Sequence, residues 1–439
     1  MQVSFIHTLI CLIAGIGLIV LLTAKYRVHA FFALVLSCFV VGLGIGFPVT
    51  EVLTAVKDGF GNIMKSLGLL IVLGTTLGVL LEYTGSTQVM AGYFFKLTGP
   101  KHAALAMSLT GFIVGLPIFC DSGYIVLSGL SNSMARRTGI SIVSTSVCLA
   151  TGLYSVHCLM LPHPGASAAV GIIGAGFGRV MVLGLIVAVP AMVVGYIWAV
   201  KMGKRYTVTE QYQPEEELAS NNQPAVLNAF MPVVVPIALI ASKAFLPNAT
   251  GLLKNILIMG DPVLALAVGV MLAFTCRRNW NKAEVGKLLQ DGAEKAGGIL
   301  VIIGAGGAFG AVLAATKIGD HLSAALPLAQ LGLFFPFIIT SLLKTAQGSS
   351  TVAIITAAGI VLPLLPALGL NSERGHLLAV LSMGAGSMMI SHANDAYFWV
   401  IAKFSGMEMQ PMLRVYSVAT VLMGFTAISM VYLLSKLIS

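Results

Sequence analysis

Long apolar runs separated by short polar connections dominate this chain. Residues 3–23 and 30–47 form the first two runs, and further runs follow at short intervals towards the C-terminus. A helix needs roughly 20 apolar residues to cross the hydrocarbon core of a bilayer, so a chain of this kind holds about ten to fourteen spans or half-spans. The pattern predicts an all-α, polytopic membrane protein.

Four short polar segments interrupt these runs and form two matching pairs. The segments are LPIFCDSGYIVLS at 116–128, LPHPGASAAVG at 161–171, KTAQGSSTVAII at 344–355 and SHANDAYFW at 391–399. Backbone broken by Gly or Pro at membrane depth is tolerated only where it is buried in protein or lines a water-filled cavity. Paired interruptions of this kind are the best sequence indication of a transporter's binding site.

The first interruption lies between two apolar runs of half length, 103–118 and 122–134. Neither run is long enough to cross the bilayer easily. This arrangement predicts a helical hairpin that dips into the membrane, followed by a helix that is broken near residue 163.

The second half of the chain repeats the order of the first. Asp58-Gly59 before a glycine-rich apolar run has its counterpart in Asp291-Gly292, and both interruptions recur after nearly the same interval. We expect Asp58 and Asp291 to start or cap helices. The halves are inverted copies if an odd number of membrane crossings separates equivalent elements. The number of crossings does not follow from the sequence.

One polar stretch separates the halves. It contains three consecutive glutamates at 215–217 and starts with a basic cluster. Its composition is typical of a solvated linker, and the basic cluster places it in the cytoplasm by the positive-inside rule. We therefore divide the chain into a first membrane repeat with N-terminal spans (1–200), a cytoplasmic polar linker (201–226) and a second membrane repeat (227–439).

Composition supports the membrane assignment and excludes several functions. Charged residues make up 9% of the chain, against about 25% in ordinary soluble domains. The net charge is +9, and Lys and Arg lie mostly in the short connections, which the positive-inside rule explains without a nucleic-acid partner.

The six cysteines form no C-x-x-C pair and suit helix packing. We find no ATP-binding, zinc, haem or nucleophile pattern, and we expect no metal, no cofactor and no enzyme.

Asp121 is the first candidate for chemistry, because it lies between the two arms of the predicted hairpin. A carboxylate at membrane depth is a functional candidate by default, and one that resists ionisation suits a proton carrier. The alternative is a hairpin-tip Asp that bonds backbone amides.

Asp395 and Asn394 lie in the interruption at 391–399, which corresponds to the break near residue 163 and is called the late break below. His392 precedes Asp395 by three residues. An acid and a histidine at this spacing could share a proton. A structural network that satisfies the broken helix is the alternative.

Small and hydroxylated residues begin the helices that follow the breaks. Gly allows close approach of the backbone, and the free N–H groups of a half-helix N-terminus attract anions. Lys344 either adds a positive charge to this site or extends towards interfacial water. The predicted substrate-binding residues are Asp121, Ser122, Gly123, His163, Gly165, Ser167, Gln347, Ser349, Ser350, Thr351 and Asn394. The predicted proton-coupling residues are Asp121, Asp395 and His392.

At these motifs the chain resembles the gluconate permease family of the wider ion-transporter superfamily. The matching segments are LPIFCDSGYIVLSGLSNSMARRTG at 116–139, HCLMLPHPGASAAVGIIGAG at 157–176, KTAQGSSTVAIITAAG at 344–359 and SMGAGSMMISHANDAYFWV at 382–400. The resemblance implies proton-coupled uptake of gluconate or a related sugar acid across the bacterial inner membrane. It also implies two inverted repeats, each with a re-entrant hairpin and a broken helix, and elevator-type movement.

The same resemblance leaves the substrate open, because members of the family also carry D-serine, fructuronate and other small hydroxy acids. Cys120, Leu159-Met160-Leu161 and Ala396-Tyr397 depart from the forms associated with gluconate carriers. The expected partners are a small anionic substrate, protons and the lipid bilayer, and a homo-oligomer is compatible with this picture. The alternatives are a sodium-coupled carboxylate transporter or exchanger of the same superfamily, and a membrane enzyme or passive channel.

Overall fold

The computed structural model describes residues 5–206, 223–245, 257–316 and 328–437, and within these ranges it contains helices and no strand. Six stretches of the described chain are long and apolar enough to cross a membrane. They are Val49–Tyr83, Ile142–Ile173, Phe177–Gly203, Val226–Lys243, Lys282–Ala315 and Met409–Leu437. The predicted all-α, polytopic fold is confirmed.

The helices fall into two series. The first series is α1 (Phe5–Val20), α2 (Ala30–Ile45), α3 (Val49–Tyr83), α4 (Ser86–Thr98), α5 (Ala103–Val114), α6 (Cys120–Thr138), α7 (Ile142–Leu159), α8 (Pro164–Ile173) and α9 (Phe177–Gly203). The second is α10 (Val226–Phe245), α11 (Pro262–Phe274), α12 (Lys282–Ala315), α13 (Phe334–Gln347), α14 (Ser350–Val361), α15 (Glu373–Ser387), α16 (Ala396–Ser405) and α17 (Val418–Leu437). Most of the predicted linker, 207–222, lies outside the described residues, so the division into three regions stays a prediction.

Contacts between the two series come in equivalent pairs. In each pair, both helices are replaced by their counterparts from the other series. Helix α2 packs against α12, and its counterpart α11 packs against α3. In the same way α8 packs against α14 while α6 packs against α16. A pseudo-two-fold relation between the two series accounts for each pair.

The two series are also inverted, as the long helices α3 and α12 show. A Cβ on Gly59, early in α3, would lie 2.5 Å from the carbonyl oxygen of Gly307, late in α12. A Cβ on Gly292, early in α12, would lie 2.7 Å from Oγ1 of Thr76, late in α3. The equivalent helices therefore run antiparallel, and the expected inverted repeats are confirmed.

The expectation that Asp58 and Asp291 start or cap helices is wrong. Both residues lie inside long helices, α3 and α12. Helix α12 begins instead after Asn281, whose side chain accepts a hydrogen bond from the N–H of Ala283 at 3.0 Å. Each helix begins nine residues before its Asp-Gly pair, at Val49 and at Lys282.

Local chemistry sets the positions of the breaks. Helix α5 ends at Gly115, and Pro117 prevents the helix from continuing before α6 begins. Helix α13 ends at Gly348, whose φ of +79° belongs to the left-handed region. Ser349 then starts α14, because its hydroxyl accepts a hydrogen bond from the N–H of Val352 at 3.3 Å. The predicted hairpins and broken helices lie where the sequence placed them.

Candidate functional site

The N-terminal ends of four helices meet at one cavity of about 490 Å³. Helix α6 contributes Cys120 to Ser122, α8 contributes Pro164, α14 contributes Ser350 and Thr351, and α16 contributes Ala396 and Tyr397. The first N–H groups of a helix have no partner within that helix and carry partial positive charge. Ser349 and Asp395 cap α14 and α16 and use one N–H group of each. The remaining N–H groups of the four ends favour a small anion in the cavity.

Eight of the predicted site residues line this cavity. They are Asp121, Ser122, Gln347, Ser349, Ser350, Thr351, Asn394 and Asp395. The two hairpin tips and the late break before α16 supply all of them. The two repeats therefore meet at one polar site, as the paired interruptions predicted.

The five other predicted residues do not line the cavity. His163 precedes α8, is almost fully buried, and has Nε2 2.7 Å from the carbonyl oxygen of Gly115. Gly123 packs against Leu153, and Gly165 packs against α14. Ser167 is buried within α8. His392 has Nε2 3.1 Å from the carbonyl oxygen of Thr345, at the end of α13.

Asp121 lies in the first turn of α6, with its side chain open to the cavity. Within the described part of the chain its carboxylate accepts one side-chain hydrogen bond, from the Cys120 thiol at 3.9 Å. Among the described residues no Lys, Arg or His forms an ion pair with it. Asp121 is therefore an acid that is open to the cavity and has no ion-pair partner among these residues.

Asp395 has very different surroundings. One carboxylate oxygen accepts hydrogen bonds from Nζ of Lys344 at 2.7 Å and from the Ser391 hydroxyl at 2.5 Å. The other accepts from the N–H of Tyr397 at 3.0 Å and caps α16. Lys344 is fully buried and also donates to the carbonyl oxygen of Gly348 at 2.8 Å. The alternative that Lys344 extends to interfacial water is therefore wrong; Lys344 ties the hairpin tip to the late break.

Two buried side chains on the wall have polar atoms without partners. Both amide atoms of Gln347 lack a hydrogen bond, although the residue is only 8% exposed. The Nδ1 atom of His157 is also buried without a partner. A buried polar group without a hydrogen bond costs about 1–3 kcal/mol of folding free energy, unless a ligand or a water molecule forms the missing bond. Asn394 differs, because its Nδ2 donates to the carbonyl oxygen of Thr345 at 2.8 Å.

Sequence reasoning missed Lys295 of α12 and Tyr154 of α7, both of which line the cavity. The Tyr154 hydroxyl donates to the carbonyl oxygen of Ser387 at 3.0 Å and so connects the repeats. The signal for Lys295 was weak: it is one charge in the polar first half of a long helix, where interfacial charges are common.

The chain matches the model of the GntP family permeases over residues 7–438. It is 32% identical to a gluconate permease of Pseudomonas aeruginosa, with 97% of this chain and 96% of the relative covered. It is 33% identical to the inner membrane permease YgbN of Escherichia coli, with 95% and 96% covered. It is 29% identical to the D-serine transporter DsdX of Escherichia coli, with 97% and 98% covered.

The fold is similar to that of a solved transporter. The structure of MtrF from Neisseria gonorrhoeae, described as one of a class of antimetabolite efflux pumps, superposes with a TM-score of 0.66. The alignment covers 94% of this chain and 96% of that one, at 16% identity. This likeness concerns the architecture. The family match extends over nearly all of the sequence, and the chain therefore belongs to the GntP permease family as a multi-pass transporter of the bacterial inner membrane.

Proposed function

We propose that this permease couples the entry of protons to the uptake of a small hydroxy carboxylate, gluconate or a related sugar acid. The observation that carries the proposal is the convergence of four helix N-termini on a cavity that also exposes the unpaired Asp121. The names of relatives agree with this class of substrate: one is a gluconate permease and another an L-idonate transporter. D-serine, the named substrate of a third relative, is the principal alternative within the family.

The charges around the cavity suggest how proton and substrate binding are coupled. Lys344 neutralises Asp395, so Asp121 is the acid whose charge acts on an entering anion. Two like charges about 6–8 Å apart repel by roughly 2–3 kcal/mol at an effective dielectric constant near 20. A proton on Asp121 removes this repulsion, so each ligand favours the binding of the other.

The polar side chains of the second hairpin bind the hydroxyl groups of the substrate in this proposal. The amide of Gln347 is free, and Ser349, Ser350 and Thr351 lie beside it on the wall. Amides and hydroxyls both donate and accept hydrogen bonds, which suits a chain of substrate hydroxyl groups. His392 does not line the cavity, and we propose it as a second proton-coupling residue.

Elevator-type movement is part of the same proposal. Most of the wall comes from the hairpins and broken helices, while Lys295 and Ile299 come from the long helix α12. A unit that holds the hairpins and breaks could therefore carry the substrate past α3 and α12. Import of one anion with more than one proton would be electrogenic, at about 2.3 kcal/mol per charge for each 100 mV.

Uptake by purified protein in proteoliposomes tests the proposal. An inward proton gradient should drive accumulation of radiolabelled gluconate or another acid of a hydroxy-acid panel, and replacing sodium with choline at fixed pH should change nothing. Accumulation that needs sodium would favour the sodium-coupled alternative. Uptake of D-serine without uptake of any hydroxy acid would overturn the assigned substrate class.

A further inference from the structure

Lys295 carries the one permanent positive charge among the described residues that line the cavity. It belongs to α12, whereas the other polar wall residues belong to the hairpins, the breaks and α7. Its side chain is 48% exposed, in contrast to the fully buried Lys344. Lys295 is therefore a cation that an entering ligand can reach.

The partner of Lys295 holds it only loosely. Its Nζ lies 3.9 Å from a carboxylate oxygen of Glu82, near the end of α3. This distance exceeds that of a hydrogen bond, which is about 2.7–3.2 Å between nitrogen and oxygen. A lysine ammonium has three donors on a flexible four-carbon chain. The ammonium can therefore turn from Glu82 towards the cavity by rotation about the bonds of this chain.

The position of Glu82 supports such an exchange. Glu82 lines a small cleft between α3, α12 and the tip of the first hairpin, and Phe119, Ser122 and Lys295 line both this cleft and the main cavity. The ammonium of Lys295 thus lies at the boundary between the two spaces. An anion in the main cavity therefore has access to the same cation that Glu82 contacts from the cleft.

Lys295 also breaks the symmetry of the site. Counted from the two Asp-Gly pairs, its counterpart in the first repeat is Asn62, which is neutral. Helix N-termini from both repeats surround the cavity, and each carries only a partial positive charge. A single cation at one side directs the carboxylate there and leaves the hydroxyl groups facing Gln347 and the second hairpin.

We propose that Lys295 binds the carboxylate of the transported acid in exchange for Glu82, and that this contact makes the carrier prefer acids to uncharged polyols. The inference rests on the proposed function, since it assigns a residue to the carboxylate of that substrate. It requires that discrimination between an acid and its amide depends on Lys295.

The test compares gluconate with gluconamide, which keeps the hydroxyl groups and lacks the charge. Dissociation constants for both come from the shift in Tm of purified protein, so that slow transport does not hide binding. Lys295→Gln should weaken gluconate binding about ten- to hundredfold, the range for a charge-assisted hydrogen bond. Gluconamide binding should change far less, and Lys295→Arg should keep most of the preference for the acid.

Glu82→Gln is the matched control, because it breaks the same ion pair and leaves the cation in place. It should keep or increase the preference for gluconate. Equal loss of preference in Glu82→Gln and Lys295→Gln would assign the effect to the broken ion pair and overturn the proposal. Unchanged preference in Lys295→Gln would overturn it as well, while wild-type uptake of gluconate would leave the proposed function intact. A wild type that binds no acid of the panel would instead overturn the proposed function.

Discussion

At the scale of single residues, two aspartates that both lie at helix N-termini have different environments. Asp121 is open to the cavity and has no ion-pair partner among the described residues. Asp395 is buried, paired with Lys344 and used as a helix cap. Sequence alone treats the two as equal candidates for proton coupling. We therefore propose Asp121 as the proton carrier, because the contacts of Asp395 are those of a helix cap and a buried ion pair.

Replacement of Asp121 by Asn should separate coupling from binding. The amide is neutral at every pH, so a proton gradient should no longer drive accumulation, while exchange of preloaded substrate should remain measurable. Flux assays in proteoliposomes measure both, with Asp121→Glu as the variant that retains a carboxylate. Intact accumulation in Asp121→Asn would reduce this residue to a cap of the first hairpin.

Replacement of Asp395 by Asn should instead lower stability. It leaves the buried ammonium of Lys344 without its counter-ion, and breaking a buried pair in this way costs about 3–5 kcal/mol. We expect a clear decrease in Tm, with a much smaller decrease in Asp121→Asn. Similar Tm values for the two variants would contradict the structural role of the pair.

At the scale of elements, the tip of the second hairpin depends on one glycine. Gly348 adopts φ +79°, and a Cβ there would collide with the carbonyl oxygen of Asn394 in the late break. The chain at this point is therefore constrained both by its own conformation and by the neighbouring break. This close approach places Gln347, Ser349 and Asn394 on the same wall.

Gly348→Ala should therefore disturb the site far more than an ordinary glycine substitution. Gly369 is a suitable control, because it has φ +69° and no atom within 4 Å of an added Cβ. Gly369→Ala should cost about 1–2 kcal/mol from backbone strain alone. Gly348→Ala should add a loss of substrate binding, measured by ligand-induced change in Tm. Equal effects of the two substitutions would contradict the tight approach at the tip.

The serines that follow this glycine give a second prediction at the same scale. Ser349→Ala together with Ser350→Ala should weaken substrate affinity more than expression, because Ser350 and Ser349 face the cavity. Ser349 also caps α14, so the double substitution should lower the free energy of unfolding by about 1 kcal/mol. Unchanged affinity in uptake assays would place the substrate elsewhere.

At the scale of the whole molecule, sequence reasoning succeeded where local chemistry decides the structure. Pro117, Pro164 and Gly348 end or start helices through their own backbone restrictions, so the breaks and hairpins could be predicted. Sequence reasoning could not predict the pairing of Lys344 with Asp395 or the approach of Lys295 to the cavity. These contacts join residues 51 or more positions apart, and only the packing of the two inverted repeats brings them together.

The most direct test of the central claim is proton uptake on substrate binding by purified protein in weakly buffered solution. If binding of the anion requires a proton on Asp121, adding gluconate at neutral pH should raise the pH of the wild-type sample. The Asp121→Asn variant should bind gluconate without this change. Binding without proton uptake by the wild type, or equal uptake by both proteins, would contradict the account.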